Sequence, residues 1–170
     1  MPAGMALAAT WNRALIEGYE RAGTQPLYAF GHGLSYTTFK YGALGINPSS
    51  ESASGGREAA PKFEVSFDVT NTGARDGVEV AQIYVGERRP SVPRPAKELK
   101  GFAKISLRPG ETGRVTIVLD GRAFSYYDVT AKRWRAQPGE FEVSVGRSSA
   151  QIELRGRLLL PAKGMAAAGR

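Results

Sequence analysis

The chain has 170 residues with no cysteine and one histidine, and its 23 Lys and Arg against 16 Asp and Glu give a formal net charge of +7. This composition excludes a disulfide framework and thiolate metal ligands, and a zinc site would need carboxylates that show no ligand spacing, so no metal or cofactor is expected. The length suits one domain with an appendage. No apolar run approaches the ~20 residues of a membrane span and the N-terminus lacks the pattern of a signal peptide, so no membrane partner is expected.

Residues 5–19 place Leu7, Ala8, Trp11, Leu15, Ile16 and Tyr19 one to four positions apart, which predicts a short amphipathic helix ending near Gly18. It is expected to lie outside the core. Residues 26–39, Pro-Leu-Tyr-Ala-Phe-Gly-His-Gly-Leu-Ser-Tyr-Thr-Thr-Phe, then mark the change from an alanine-rich region to a β-rich one. Phe39, Tyr41, Leu44 and Ile46 predict a first strand, with Gly42 and Gly45 marking a bulge. Residues 47–61 are so rich in Ser, Gly, Ala, Glu and Pro that a flexible loop is expected.

From Phe63 the pattern sharpens. Phe63, Val65, Phe67 and Val69 alternate with Glu64, Ser66, Asp68 and Thr70, the period of a strand with one buried face. Asn71-Thr72-Gly73 turns the chain, and Val78 to Val85 is apolar on both parities, which predicts a central strand covered on both faces. Strands are predicted at Glu98 to Leu107 and Gly113 to Leu119, joined through Arg108-Pro109-Gly110, where Gly supplies a left-handed position. An aromatic group (Phe124, Tyr126, Tyr127), a short run at Trp134, a Pro138-Gly139 turn, the strand Phe141, Val143, Val145 and a last strand near Ile152 and Leu154 complete the series. About seven strands at such spacings predict an all-β, immunoglobulin-like sandwich. The tail from Pro161 is expected to fray.

Few residues offer chemistry. His32 stands between Gly31 and Gly33, but a dinucleotide fingerprint needs another glycine where Tyr36 stands. Gly33-Leu34-Ser35-Tyr36-Thr37 lacks the second glycine of a nucleophile elbow, which speaks against Ser35 as a nucleophile. His32 is read as a hydrogen-bonding group in a tight turn. Asp120 and Asp128 are the one tempting carboxylate pair, and turn capping is the expected role of each. Tyr126, Tyr127 and Trp134 are expected to fill the core. If exposed, they would stack on sugar rings. The basic run Arg88, Arg89, Arg94, Lys97, Lys100 and Lys104 is interrupted by Glu87 and Glu98 and has no recognition motif beside it, so no nucleic-acid partner is expected.

The junction stretch closely resembles a motif of glycoside hydrolase family 3, the β-glucosidase and β-xylosidase family. Further resemblances follow in family order: Val69-Thr70-Asn71-Thr72-Gly73, Gly77 to Val85, Pro95-Ala96-Lys97-Glu98-Leu99-Lys100-Gly101-Phe102, Leu107-Arg108-Pro109-Gly110-Glu111 and Pro138-Gly139-Glu140-Phe141. The resemblance implies a fibronectin type III-like module at 39–160, preceded at 1–38 by a remnant of the second catalytic domain and the junction motif, and followed by a disordered tail at 161–170. Phe30, Gly31, His32, Gly33, Leu34, Ser35 and Tyr36 would then be structural junction residues. The family's aspartate nucleophile and its glutamate acid/base lie upstream of everything matched, so no catalytic residue is expected here. The loop at 88–104 would dock on the catalytic domains through Arg88, Arg89, Arg94, Lys97 and Lys100, all facing outward, with Leu99 and Phe102 anchored in the core. The alternative is a free-standing carbohydrate-binding or adhesion module.

Overall fold

The computed structural model describes residues 27–49 and 62–161. The helix expected at 5–19, residues 50–61 of the expected loop and residues 162–170 of the tail lie outside them. Nine strands follow in order: β1 (Phe39–Pro48), β2 (Phe63–Asn71), β3 (Gly77–Glu87), β4 (Glu98–Leu107), β5 (Thr112–Leu119), β6 (Ser125–Asp128), β7 (Arg133–Ala136), β8 (Gly139–Gly146) and β9 (Ile152–Leu160). Seven of them make a sandwich, a three-stranded sheet ordered β1-β2-β5 and a four-stranded one ordered β4-β3-β8-β9. The other two, β6 and β7, pair as a separate ribbon.

The in-and-out alternation of β2 builds one wall of the core. Val65, Phe67 and Val69 are fully buried, as are Ala81 and Ile83 of β3 and Phe141, Val143 and Val145 of β8. Each of these valine, isoleucine and phenylalanine side chains contributes roughly 1.5–3 kcal/mol by leaving water. The turn at 108–110 carries the chain from the four-stranded sheet to the three-stranded one, and Gly110 takes the left-handed position with φ 74°.

In β1 the register shifts between Gly42 and Gly45, where the bulge is expected. The strand then continues further than its composition suggests. Asn47 pairs with Glu64 and Pro48 with Phe63, so these two residues belong to the sheet rather than to the loop. The reason is position: β1 is an edge strand, where a proline without a donor can face away from the ladder.

A polar group closes one end of the core. The Tyr41 hydroxyl donates to Glu79 Oε1 at 2.8 Å, and the Arg147 guanidinium lies 5.9 Å from the Tyr41 ring centroid, donates to the Phe39 carbonyl and sits 3.3 Å from Glu153. Burial above all, with the bond to Glu79 and its negative charge, holds the Tyr41 hydroxyl far above the usual phenol range. A raised acid keeps its full stabilising effect below the unfolded pKa of about 10 and loses it as pH rises beyond that value. Tyr41→Phe is therefore expected to cost about 1–2 kcal/mol at neutral pH and to flatten the loss of stability toward about pH 11. Urea melts at the two pH values measure this, and an unchanged alkaline slope would remove Tyr41 as its source.

Candidate docking surface

The outward side chains of β3 are Val78, Val80, Gln82 and Tyr84, followed by Gly86. Two peripheral segments cover the second half of this row. The first is the junction at 27–38. Its Gly31 lies over Gln82 with φ 78°, a backbone position that favours glycine, and a Cβ there would stand 2.1 Å from Gln82 Oε1 and displace that amide. Gln82 is 5% exposed; its amide donates to the Gly31 carbonyl at 3.2 Å and to the Arg147 carbonyl, and its oxygen accepts from the Tyr84 hydroxyl at 2.5 Å. The Ser149 amide adds a bond of 2.8 Å to the Phe30 carbonyl.

At its far end the junction is tied to the core by Asn71. This fully buried side chain accepts from Thr37 Oγ1 at 2.7 Å and from the Gly73 amide at 3.1 Å, and donates to the carbonyls of Arg75 at 2.7 Å and Leu107 at 3.0 Å. His32 closes a turn through its amide, which donates to the Ala29 carbonyl, and its ring lies 5.2 Å from that of Tyr28. Ser35 Oγ accepts from the Thr37 amide, a turn bond. The backbone is therefore pinned while its apolar side chains are not. Leu27, Tyr28, Phe30, Leu34 and Tyr36 are all at least 65% exposed.

The second segment is the loop between β3 and β4, which folds back over the same face. Gly86 accommodates it, because a Cβ there would meet the Ala96 carbonyl oxygen at 2.1 Å. Lys97 stands 5.9 Å above the Tyr84 ring and donates to the Ser149 carbonyl. Arg94 does not face outward as expected. Its side chain is 9% exposed and donates to Glu87, itself 5% exposed, at 2.9 Å, with Glu98 at 3.8 Å, the Ser125 carbonyl at 3.4 Å and the Tyr126 ring at 5.7 Å. A buried guanidinium persists only when paired in this way, so Arg94 is an internal brace of the loop.

Lys100 likewise is mostly covered and bonded to Glu98. Arg88 pairs with Glu140 at 3.0 Å in solvent, and Arg89 is exposed with no side-chain partner among the described residues. Leu99 is half-buried, but Phe102 is 67% exposed rather than anchored in the core. It pairs across from Gln82, and directly opposed residues share a face, which here is the outer one.

The remaining candidates divide cleanly. Asp120 accepts from the Arg122 amide and caps a 3-10 turn at Gly121–Phe124; Asp128 accepts from the amides of Thr130 and Ala131. The Ala131 bond in particular, with those from Thr130 and Arg135, holds the Asp128 carboxyl below its usual range. Both act on turns. Of the aromatics between 124 and 134 only Phe124 is in the core; Tyr127 and Trp134 are 49% and 53% exposed, correcting the expectation that they fill it. They lie directly opposite each other on the two-stranded ribbon. Trp134 is occupied by its own neighbours, Tyr127 at 5.8 Å and the Arg122 guanidinium at 4.7 Å. Gln82 and Asn71 were not singled out from the sequence, although an amide inside the apolar run Val80-Ala81-Gln82-Ile83 is a signal of a buried polar contact.

Fold and surface together define a fibronectin type III-like β-sandwich module. Residues 79–149 match the fibronectin type III-like domain family. Thermostable beta-glucosidase B of Acetivibrio thermocellus is 44% identical over 137 residues, 81% of this chain and 17% of that protein, and the probable beta-glucosidase L of Aspergillus fumigatus is 41% identical over 81% of this chain and 20% of its own length. The solved structure of a GH3 beta-glucosidase from Bifidobacterium adolescentis superposes with a TM-score of 0.75 at 33% identity, over 91% of this chain and 22% of that one. The chain belongs to the fibronectin type III-like domains of family 3 glycoside hydrolases, in the region that closes those proteins. It spans about a fifth or less of the length of the curated relatives, where the matching stretch is one covalently attached part of a longer polypeptide.

Proposed function

We propose that this chain is a non-catalytic module that supports the catalytic domains of a family 3 glycosidase by docking on them, the whole protein hydrolysing O-glycosyl bonds as a β-glucosidase. The carrying observation is the junction. Its backbone is fixed to the sandwich by Gln82, Ser149 and Asn71, yet Leu27, Tyr28, Phe30, Leu34 and Tyr36 point into solvent. Apolar side chains held in place and left uncovered mark a surface made for a partner. In the proposed arrangement the loop at 88–104 borders that contact, with Arg88, Arg89 and Lys97 available to partner carboxylates while Arg94 and Lys100 hold the loop's shape.

Two results are expected. The chain alone should give no turnover of aryl β-glucosides, because a glycosidase needs two carboxylates about 5–9 Å apart across a bound sugar, and the tempting pair is spent on turn backbone. Turnover that co-purifies with the chain would sink the reading. Docking is tested in a chimera in which residues 27–161 replace the matching stretch of the Acetivibrio thermocellus enzyme. One calorimetric transition for both parts is expected, whereas independent transitions would show a tethered module that does not dock.

A further inference from the structure

We infer that the uncovered half of the outer face of the four-stranded sheet, Val78 and Val80 of β3 with Phe102 of β4, is the surface that meets the catalytic domains; this rests on the docking reading above. These three residues are 45%, 42% and 67% exposed. They form a denser apolar group than the other outward strand surfaces of the sandwich, where among the described residues Val118 of β5 and Leu159 of β9 are the large apolar side chains left exposed. On β8 and β9 the outward positions include the ion pairs Arg155 with Glu142 at 2.8 Å and Arg157 with Glu140 at 3.7 Å, with Leu159 across from Glu140. On β2 and β5 they include Asp68 with Arg114 at 2.9 Å and Thr70 with Thr112 at 2.7 Å, with Val118 opposite Glu64. An antiparallel sheet facing water is mostly polar on that side, and here Val78, Val80 and Phe102 form one contiguous apolar strip, apart from Leu159 on the edge strand β9.

The register makes the strip a patch. Val78 lies opposite Ser106, Val80 opposite Lys104 and Gln82 opposite Phe102, so Phe102 is the diagonal neighbour of Val80 and the direct neighbour of the amide that holds Gly31. The patch is therefore continuous with the junction and its exposed apolar side chains. Where the junction and the loop already lie on this face, Gln82 and Tyr84 are 5% and 2% exposed. Among the described residues the face is thus completed by chain at one end and open at the other.

The occupant is the catalytic body that precedes the junction in the relatives. The junction delivers the chain onto this face, and in those relatives the matching stretch is covalently continuous with four-fifths or more of the protein. Lys104 sits beside Val80 with no side-chain partner among the described residues, so the complementary surface is apolar with a carboxylate at its border. A second copy of this chain fits less well, because each copy would bring the same uncompensated cation to the same patch.

The test uses the chimera described above with Val80→Asp/Phe102→Asp, and with Val118→Asp as control, an equally exposed valine on the outer side of the three-stranded sheet. The double variant is expected to split the single calorimetric transition into two, and the control to keep it single. In the free chain both variants should melt with the parent, since the substituted residues are exposed. A single transition in the double variant would overturn this assignment and leave docking intact, whereas two transitions in the unsubstituted chimera would overturn docking and this surface with it. A free chain that dimerises until Val80→Asp/Phe102→Asp is introduced would give the face to a second copy and equally overturn the proposal.

Discussion

Replacing Phe124 with alanine is expected to remove about 3–5 kcal/mol of stability, a large share of the roughly 5–15 kcal/mol available to a domain of this kind. Phe124 is fully buried at the end of the 3-10 turn between β5 and β6. Its ring meets Phe63 of β2 edge-on at 5.5 Å and Phe141 of β8 at 5.2 Å, so one side chain joins the two sheets. The turn cannot follow a smaller residue inward. Asp120 caps it and Ser125 Oγ donates back to the Gly121 carbonyl at 2.6 Å, so truncation leaves a cavity. Trp134→Ala should cost about 1 kcal/mol or less, because its contacts with Tyr127 and Arg122 are on the surface. Urea melts of the two variants decide it. Equal costs would mean that the ribbon is part of the core and that burial has been misassigned between the two aromatics.

That contrast also shows what a sequence can and cannot disclose. The inward residues of β2 and β8 were legible because a period of two has one physical cause, a strand with a single dry face. The apolar run of β3 was legible too, but cover on both faces holds only for its second half, where the junction and the loop lie over Gln82 and Tyr84, while Val78 and Val80 are exposed. Tyr126, Tyr127 and Trp134 carry no such period, and aromatic content alone does not say whether a second layer exists above them. Charge was the least informative feature. Arg88, Arg89 and Arg94 are alike in the sequence, but Glu87 lies at the end of β3 where only Arg94 reaches it, so one arginine is buried and the others are not. Phe102 was misplaced although the period was there to read: Ala103, Ile105 and Leu107 pack on the core, and Phe102, at odd spacing from each, faces the other way. The β3–β4 pairing shifts register between Ile83 and Tyr84, and Phe102 still lies opposite outward-facing Gln82.

Asn71→Ala is expected to cost about 3–5 kcal/mol, far more than its place at a strand end suggests, since four hydrogen bonds to a fully buried side chain are lost together. Two carbonyls, of Arg75 and Leu107, and two donors, Thr37 Oγ1 and the Gly73 amide, would be left without it. The substitution Asn71→Asp separates packing from hydrogen bonding, because it keeps the shape and both accepted bonds while turning the donating edge into a second oxygen facing carbonyls. Burial and those carbonyls would raise the new carboxyl above its unfolded pKa of about 3.9. With a raised acid the stability is fully present below that value and lost as pH rises through the folded pKa, so Asn71→Asp should come closest to the parent in acid and fall away toward neutrality. The loss should also reach function, since the Thr37 bond is one of the ties at the inner end of the junction, beside that from the Thr72 amide to the Thr38 carbonyl at 2.8 Å. In the docking chimera, Asn71→Ala should loosen the coupling between module and catalytic domains as well as lower the melting temperature. Urea melts at about pH 4 and pH 7 provide the measurement. A pH-independent cost for Asn71→Asp, or a cost below about 1 kcal/mol for Asn71→Ala, would show that the buried amide is not the hub its four bonds imply.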